Sequence, residues 1–287
     1  MDSTATVTIS RMERRDLDVA LDWAAAEGWN PGLHDTECFF AADPHGFFMA
    51  KVDDRPIGAI SAVAYDECFA FVGLYIVAPE FRGQGHGWRL WQTAMDYTGT
   101  RNVGLDGVVE QQANYRKSGF QIAYRNIRYE GVGGAVEIVD GAPDTDYVAM
   151  EEVPWPELIA YDRACFPAAR ESFLAQWICQ PGVRTVAAIQ YGSLAGYGVL
   201  RPCHNGYKCG PLFCENEHIA EGVFSRLSAT TVGAPIFLDI PEPNARAAAL
   251  VSRHDMVPQF ETARMYTGGL PSVDLGKVYG VTSFELG

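Results

Sequence analysis

Nine residues, Phe69-Ala70-Phe71-Val72-Gly73-Leu74-Tyr75-Ile76-Val77, run almost without a polar side chain, and Pro79 stops them. A run this short and this apolar is expected to be a strand covered on both faces, because a strand with one wet face alternates. The chain is therefore expected to be a layered α/β protein. The residues after the strand are equally constrained. Arg82-Gly83-Gln84-Gly85-His86-Gly87-Trp88 leads into Trp88–Met95, whose apolar spacing is helical. Three glycines in five residues let the backbone turn tightly and approach a ligand without a Cβ in the way. The free N–H groups and positive dipole end of a helix start attract an anion, and a pyrophosphate is the natural guest. The spacing matches neither the dinucleotide fingerprint nor a P-loop. On these residues alone, a glycine-rich turn without a ligand is the competing reading.

The rest of the chain reads as two runs of similar order. In the first, a strand at 5–9 precedes a helix that buries Leu17, Ala20, Leu21 and Ala24. A hairpin about Asp53–Pro56, the apolar strand and its helix come next. A strand at 103–109, a short helix at 111–118 and a strand at 122–129 close the run. Residues 131–146, rich in Gly, Asp and Pro, read as a linker. The second run has helices at 155–165 and 171–179, a hairpin at 184–202 and a strand near 206–213. A helix at 218–230, a strand at 235–240, a helix at 245–254 and a strand at 259–266 complete it. An offset of 136 residues carries Arg128 onto Arg264, Tyr124 onto Phe260 and Ala113 onto Ala249, and Leu105-Asp106 falls near Leu238-Asp239. An internal repeat is expected, with domains at 1–133 and 147–287, a division that suits 287 residues.

Charge and cysteine usage narrow the partners. Acidic residues outnumber basic ones 36 to 22, for a formal charge of −14. Such a surface repels phosphate backbones, so nucleic acid is an unfavourable partner and a cationic small molecule a favourable one. No apolar run is long enough to span a membrane, and seven scattered cysteines suggest a reducing, cytoplasmic setting. Cys203-His204 with Cys209 and Cys214 has no common zinc spacing, so no metal is expected.

The loop Arg82-Gly83-Gln84-Gly85-His86-Gly87 comes after Leu74-Tyr75-Ile76-Val77-Ala78-Pro79-Glu80, and together they resemble the acyl-CoA loop of the GNAT N-acetyltransferase superfamily. Asn114-Tyr115-Arg116-Lys117-Ser118-Gly119-Phe120 resembles that superfamily's second signature. The whole chain, including Arg264-Met265-Tyr266 and the ending Val278-Tyr279-Gly280-Val281-Thr282-Ser283-Phe284-Glu285-Leu286-Gly287, is similar to the YitH-like two-domain acetyltransferases. The resemblance implies an α/β fold with a mixed sheet, in two tandem GNAT-like domains of which the second is degenerate. It assigns Leu74, Tyr75, Ile76 and Val77 to the pantetheine and acetyl group, with a backbone N–H near Ile76 facing the oxyanion. Residues Arg82, Gly83, Gln84, Gly85, His86, Gly87 and Trp88 would hold the pyrophosphate of acetyl-CoA, with Asn114 nearby. His86 reads as a spectator there, because the backbone does the binding.

Tyr115, at the family's tyrosine position, is the candidate acid for the departing thiolate; a half-buried packing tyrosine is its plain alternative. For the base, Glu110 and Asp239 both come after apolar strands, where ligands gather in α/β sheets. A capping role for Asp239 and a base-free water chain stay open. Trp29-Asn30-Pro31 with His34 and Asp35 would stand where the family lines its acceptor pocket. In the second half, position 251 is valine and Gly210–His218 carries two glutamates and no glycine cluster, so that half is expected to be degenerate, a substrate wall or a structural partner. The expected reaction is direct acetyl transfer to a small primary amine, and the resemblance puts an amino sugar such as glucosamine before a polyamine or amino acid. A non-catalytic acyl-CoA sensor or scaffold is the other class. A monomer or homodimer fits either.

Overall fold

The computed structural model describes residues 7–134 and 137–287. Residues 5 and 6 of the expected first strand, and 135 and 136 of the expected linker, lie outside them. The first half runs β1 (Val7–Arg11), α1 (Arg14–Ala26), α2 (Asp35–Ala42), β2 (Phe47–Val52), β3 (Arg55–Ala64), β4 (Phe69–Val77), α3 (His86–Thr98), β5 (Asn102–Val108), α4 (Gln112–Lys117) and β6 (Gln121–Val132). The second half repeats that order. It runs β7 (Thr145–Val148), α5 (Trp155–Cys165), α6 (Glu171–Trp177), β8 (Arg184–Gln190), β9 (Ser193–Pro202), β10 (Tyr207–Cys214), α7 (Glu217–Ala229), β11 (Pro235–Pro241), α8 (Ala245–Arg253) and β12 (Val257–Tyr266), and then adds β13 (Val278–Gly280). Helix α2 is absent from the sequence reading although its counterpart α6 is present in it. The Cys38-Phe39-Phe40 run masks the helical spacing of eight residues.

The described strands make one sheet in the order β1-β2-β3-β4-β5-β12-β6-β11-β10-β9-β8-β7, with β13 paired to β10. The two halves have exchanged their closing strands. Strand β12 lies antiparallel to β5, and β6 lies antiparallel to β11. The chain passes from one half to the other between β6 and β7, but the sheet does not divide there. Each half contains the last strand of the other.

Side chains alternate between the two faces with the strand period. Phe47 and Met49 join the core beneath α1, α2, α5 and α6, which draws on both halves. Phe48 and Ala50 join the core beneath α3, and α7 and α8 cover a third. At the centre of the shared core, Phe39 of α2 stacks on Trp177 of α6 with ring centroids 6.2 Å apart.

One irregularity positions the cleft. Strand β4 pairs with β5 only from Phe69 to Val72. At Leu74 the backbone turns to φ +46°, and β4 then leaves β5, opening a V whose near edge is residues 73–77. The second half bends alike: β10 pairs with β11 only from Tyr207 to Cys209. There the V is filled. Strand β13 pairs with β10, and Val281 donates its N–H to the Asp239 carbonyl at 2.8 Å. The chain then crosses to the first half, where Tyr65 donates its hydroxyl to the Leu286 carbonyl at 2.8 Å.

Candidate active site

The open V of the first half is a cleft of about 580 Å³, within the range of small-molecule sites. The edge of β4 and the glycine loop form one wall. Glu110 and Tyr115 stand on the other. The inner end is built from the exchanged strands and the C-terminal segment, through Arg128, Phe260, Thr262, Phe284 and Glu285, with Trp29 beside them. The second half therefore lines the cleft directly.

The glycine loop leaves its donors free. Gly83 and Gly85 take φ +74° and +85°, and Gly85 caps α3 without a side-chain hydrogen bond. Arg89 is the first helical residue to find an acceptor, at the Gly85 carbonyl. Among the described residues none accepts from the N–H groups of 83–88, which form a nest for an anion. A Cβ on Gly87 would come 2.7 Å from the Tyr75 hydroxyl, so the loop sits tightly on the strand that precedes it. Burial pushes the Tyr75 phenol up to about 12.

Side chains of the loop contribute less than its backbone. Arg82 donates from Nε to the Val77 carbonyl at 2.8 Å and pairs through Nη2 with Glu27, which ties the loop to the end of α1. Gln84 turns away to the Glu80 carbonyl, and the His86 ring lies against Phe81. Neither residue lines the cleft, whereas Arg82, Gly83, Gly85, Gly87 and Trp88 do.

Tyr115 reaches the cleft from α4, its ring between Trp91 and Phe120 at centroid distances of 5.4 and 6.5 Å. Gly107 makes this possible, since a Cβ there would lie 2.6 Å from the tyrosine ring. Burial, with the neighbouring Tyr75, raises the phenol well above its ordinary value, so it stays protonated and able to donate at neutral pH. Glu110 lies exposed at the cleft rim. Asn114 bonds to Gln111 and Lys117, outside the cleft.

Asp239 is where the sequence reading needs correction. It is 1% exposed on β11, does not line the cleft, and has both oxygens taken by Arg128 Nε and Nη2 at 2.7 Å each. Burial opposes its charge, but Arg128 outweighs this and holds the carboxyl below its ordinary range. A carboxylate so engaged is a poor proton acceptor. Its role is to hold Arg128, which also donates to the Trp29 carbonyl at 2.8 Å and lies under Phe284 at 4.8 Å. The equivalent pair, Arg264 with Asp106, joins β12 to β5 at 2.7 and 2.9 Å. The offset that relates Arg128 to Arg264 thus relates two buried ion pairs, one across each exchanged strand.

Breaking one partner of such a pair strands a buried charge, at a cost of about 3–5 kcal/mol. Asp239→Asn should therefore lower stability at pH 7 by that order in urea melts. A carboxyl whose folded-state pKa is depressed stabilises above its unfolded value and ceases to as pH falls through the folded one. The gap between wild type and variant should accordingly begin to narrow below about pH 4, the unfolded value, and close as the pH falls through the lower folded-state value. A gap that persisted there would contradict the pairing.

Arg128, Phe260, Phe284 and Glu285 complete a site of which the loop, Tyr115, Glu110 and Trp29 were named from the sequence. Arg128 and Phe260 entered that reading only through the repeat offset, and Phe284 and Glu285 had no site role in it. Cys203, Cys209 and Cys214 are buried thiols. Among the described residues no cluster of His, Cys, Asp and Glu could hold a metal ion, and no helix is long and apolar enough to cross a membrane.

Family models agree with the duplication. Residues 14–120 match the acetyltransferase (GNAT) family, and residues 158–280 match an acetyltransferase (GNAT) domain. A holothin acyltransferase of Pseudoalteromonas sp. (strain SANK 73390) is 31% identical over 288 residues, covering 100% of this chain and 97% of its own. Among solved structures, one from Pyrococcus horikoshii described as an acetyltransferase superposes with a TM-score of 0.82 at 21% identity, over 98% of this chain and 96% of that one. A tandem GNAT protein from the clavulanic acid biosynthesis pathway superposes with a TM-score of 0.63 at 15% identity, over 92% and 100%. The chain belongs to the GNAT acyltransferases, as a tandem member carrying two GNAT domains in one continuous sheet.

Proposed function

We propose that the protein transfers acetyl from acetyl-CoA to the primary amine of a small molecule, by direct attack within a ternary complex in the first-half cleft. The observation that carries this reading is the juxtaposition of an unpaired anion nest at 83–88, an unpaired strand edge at 73–77 and a phenol, all on one cleft. Acetyl-CoA brings the thioester. The N–H groups of 83–88 hold its pyrophosphate, the edge of β4 pairs with its pantetheine, and an N–H near Ile76 steadies the oxyanion. Tyr115 gives its proton to the departing thiolate. In the second half β13 occupies the V, and Glu215 and Glu217 stand at the start of α7, where the first half has its anion nest.

The inner end of the cleft favours a ring-shaped acceptor. Trp29, Phe260 and Phe284 line that end, and aromatic side chains stack on a ring better than they enclose an extended polyamine. Glucosamine, the first acceptor suggested by the sequence, and holothin, named in the relative, both belong in the test. Acetyl-CoA should raise the melting temperature, and thiol release should occur with at least one amine among glucosamine, holothin, spermidine and lysine. Stabilisation without thiol release would leave an acyl-CoA sensor instead. Tyr115→Phe should lower kcat by about 100-fold, the scale of a general acid, and leave acetyl-CoA affinity nearly unchanged. An unaltered kcat would remove the phenol from the mechanism.

A further inference from the structure

We infer that Glu285, in the segment that crosses from the second half, is the carboxylate that receives the acceptor's ammonium and takes its proton. This assignment rests on the acyltransfer reading above. Glu285 lines the cleft and is 3% exposed. Among the described residues its buried Oε2 has no hydrogen-bond partner. The other buried carboxylates around it are committed: Asp239 to Arg128, Asp106 to Arg264, Asp35 to Arg201. A buried carboxylate oxygen left unpaired is costly, and such a group persists where a ligand completes it.

Position favours the same role. A Cβ on Gly73 would overlap the Glu285 carbonyl oxygen. Residue 285 thus lies against β4 one residue before the Leu74 bend, at the inner end of the open strand edge. Three cations surround it. Arg128 from β6, Arg201 from β9 and Lys208 from β10 all sense its charge. Arg128 and Arg201 have aspartate partners, whereas among the described residues Lys208 donates to the Trp29 and Asn30 carbonyls alone, at 3.3 and 2.9 Å. Asp239, Asp35 and Glu285 balance the three positive charges, so an ionised Glu285 completes a neutral cluster.

Protons balance through it. The ammonium gives one proton to Glu285, which passes it to solvent. The free amine attacks the thioester carbon and the C–S bond breaks. The nitrogen then loses its second proton to solvent, while Tyr115 supplies one to the thiolate and is reprotonated from solvent. Net, an ammonium and a thioester become an amide, a thiol and one released proton.

The test uses the full chain, acetyl-CoA and the most active amine of the panel. Glu285→Gln should bind acetyl-CoA like wild type by calorimetry and lose about 100-fold in kcat/KM at pH 7, the scale of a positioned base. The acidic limb of the kcat/KM profile should disappear with it. In Glu285→Ala, added formate should restore part of the rate. Glu285→Gln with wild-type kcat/KM, or a lowered melting temperature with the acidic limb unmoved, would overturn the assignment and leave a carboxylate that only balances charge. Absence of acetyl-CoA binding in the wild type would instead overturn the acyltransfer reading itself.

Discussion

A chain ending at Lys277 is expected not to fold. Residues 278–287 are buried without exception. They occupy the V of the second half and then floor the V of the first. Val278, Tyr279, Val281, Phe284 and Leu286 each lose a site that full burial makes worth about 1.5–3 kcal/mol. Together that is on the order of 10 kcal/mol, comparable to the whole stability of a typical domain. The damage would not stay local. Val281 is bonded to Asp239, whose carboxylate holds Arg128, and Arg128 fastens β6 to β11 across the exchanged strands. Circular dichroism and a thermal melt of the shortened chain should show no cooperative transition. A cooperative melt within a few degrees of wild type would mean that the exchanged strands hold the halves together unaided.

The strand in that segment escaped the sequence reading for a physical reason. Val278-Tyr279-Gly280 is three residues long, too short for any periodicity to declare itself. Its glycine is fixed by the V itself: a Cβ on Gly280 would come 2.6 Å from Leu238. Long elements with one apolar face were legible to within a residue or two, as α5 and α7 were. So was the glycine loop, since its chemistry is written in adjacent residues. The exchange of β6 and β12 was not, because pairing is a property of partners far apart in the chain and both strands carry the same alternation. The identity of Arg128 and Arg264 at one offset, beside a shifted Asp106 and Asp239, pointed to paired charges without saying which aspartate each arginine faces; the exchanged strands join Arg128 to Asp239 and Arg264 to Asp106. The misreading of Asp239 has the same origin. At the end of an apolar strand a carboxylate looks like a site residue, and only the opposing strand reveals that an arginine already holds it. Glu285 was missed for the converse reason, as nothing local distinguishes it.

Gly85→Val should abolish acetyl-CoA binding while leaving the fold nearly intact. The position has room: a Cβ there would meet nothing within 4 Å. What it lacks is a permitted backbone. At φ +85° a β-branched residue is strained by about 1–3 kcal/mol, and the peptide escapes by rotating. Rotation turns the N–H groups of the nest away from one another, and they act on an anion only while they converge. Each charge-assisted hydrogen bond to a phosphate contributes about 1.5–3 kcal/mol, so losing two weakens affinity by roughly 100-fold or more. Gly87→Val should reach the same end by collision with Tyr75. The control is Gly192 in the β8–β9 turn, with φ +78° and equal space but no part in the cleft. Gly192→Val should show a similar fall in melting temperature and unchanged calorimetry with acetyl-CoA. If Gly85→Val bound the coenzyme like wild type, the backbone of residues 83–88 would not be what holds it. Equal losses of binding in Gly85→Val and Gly192→Val would trace the effect to general destabilisation instead of to the nest.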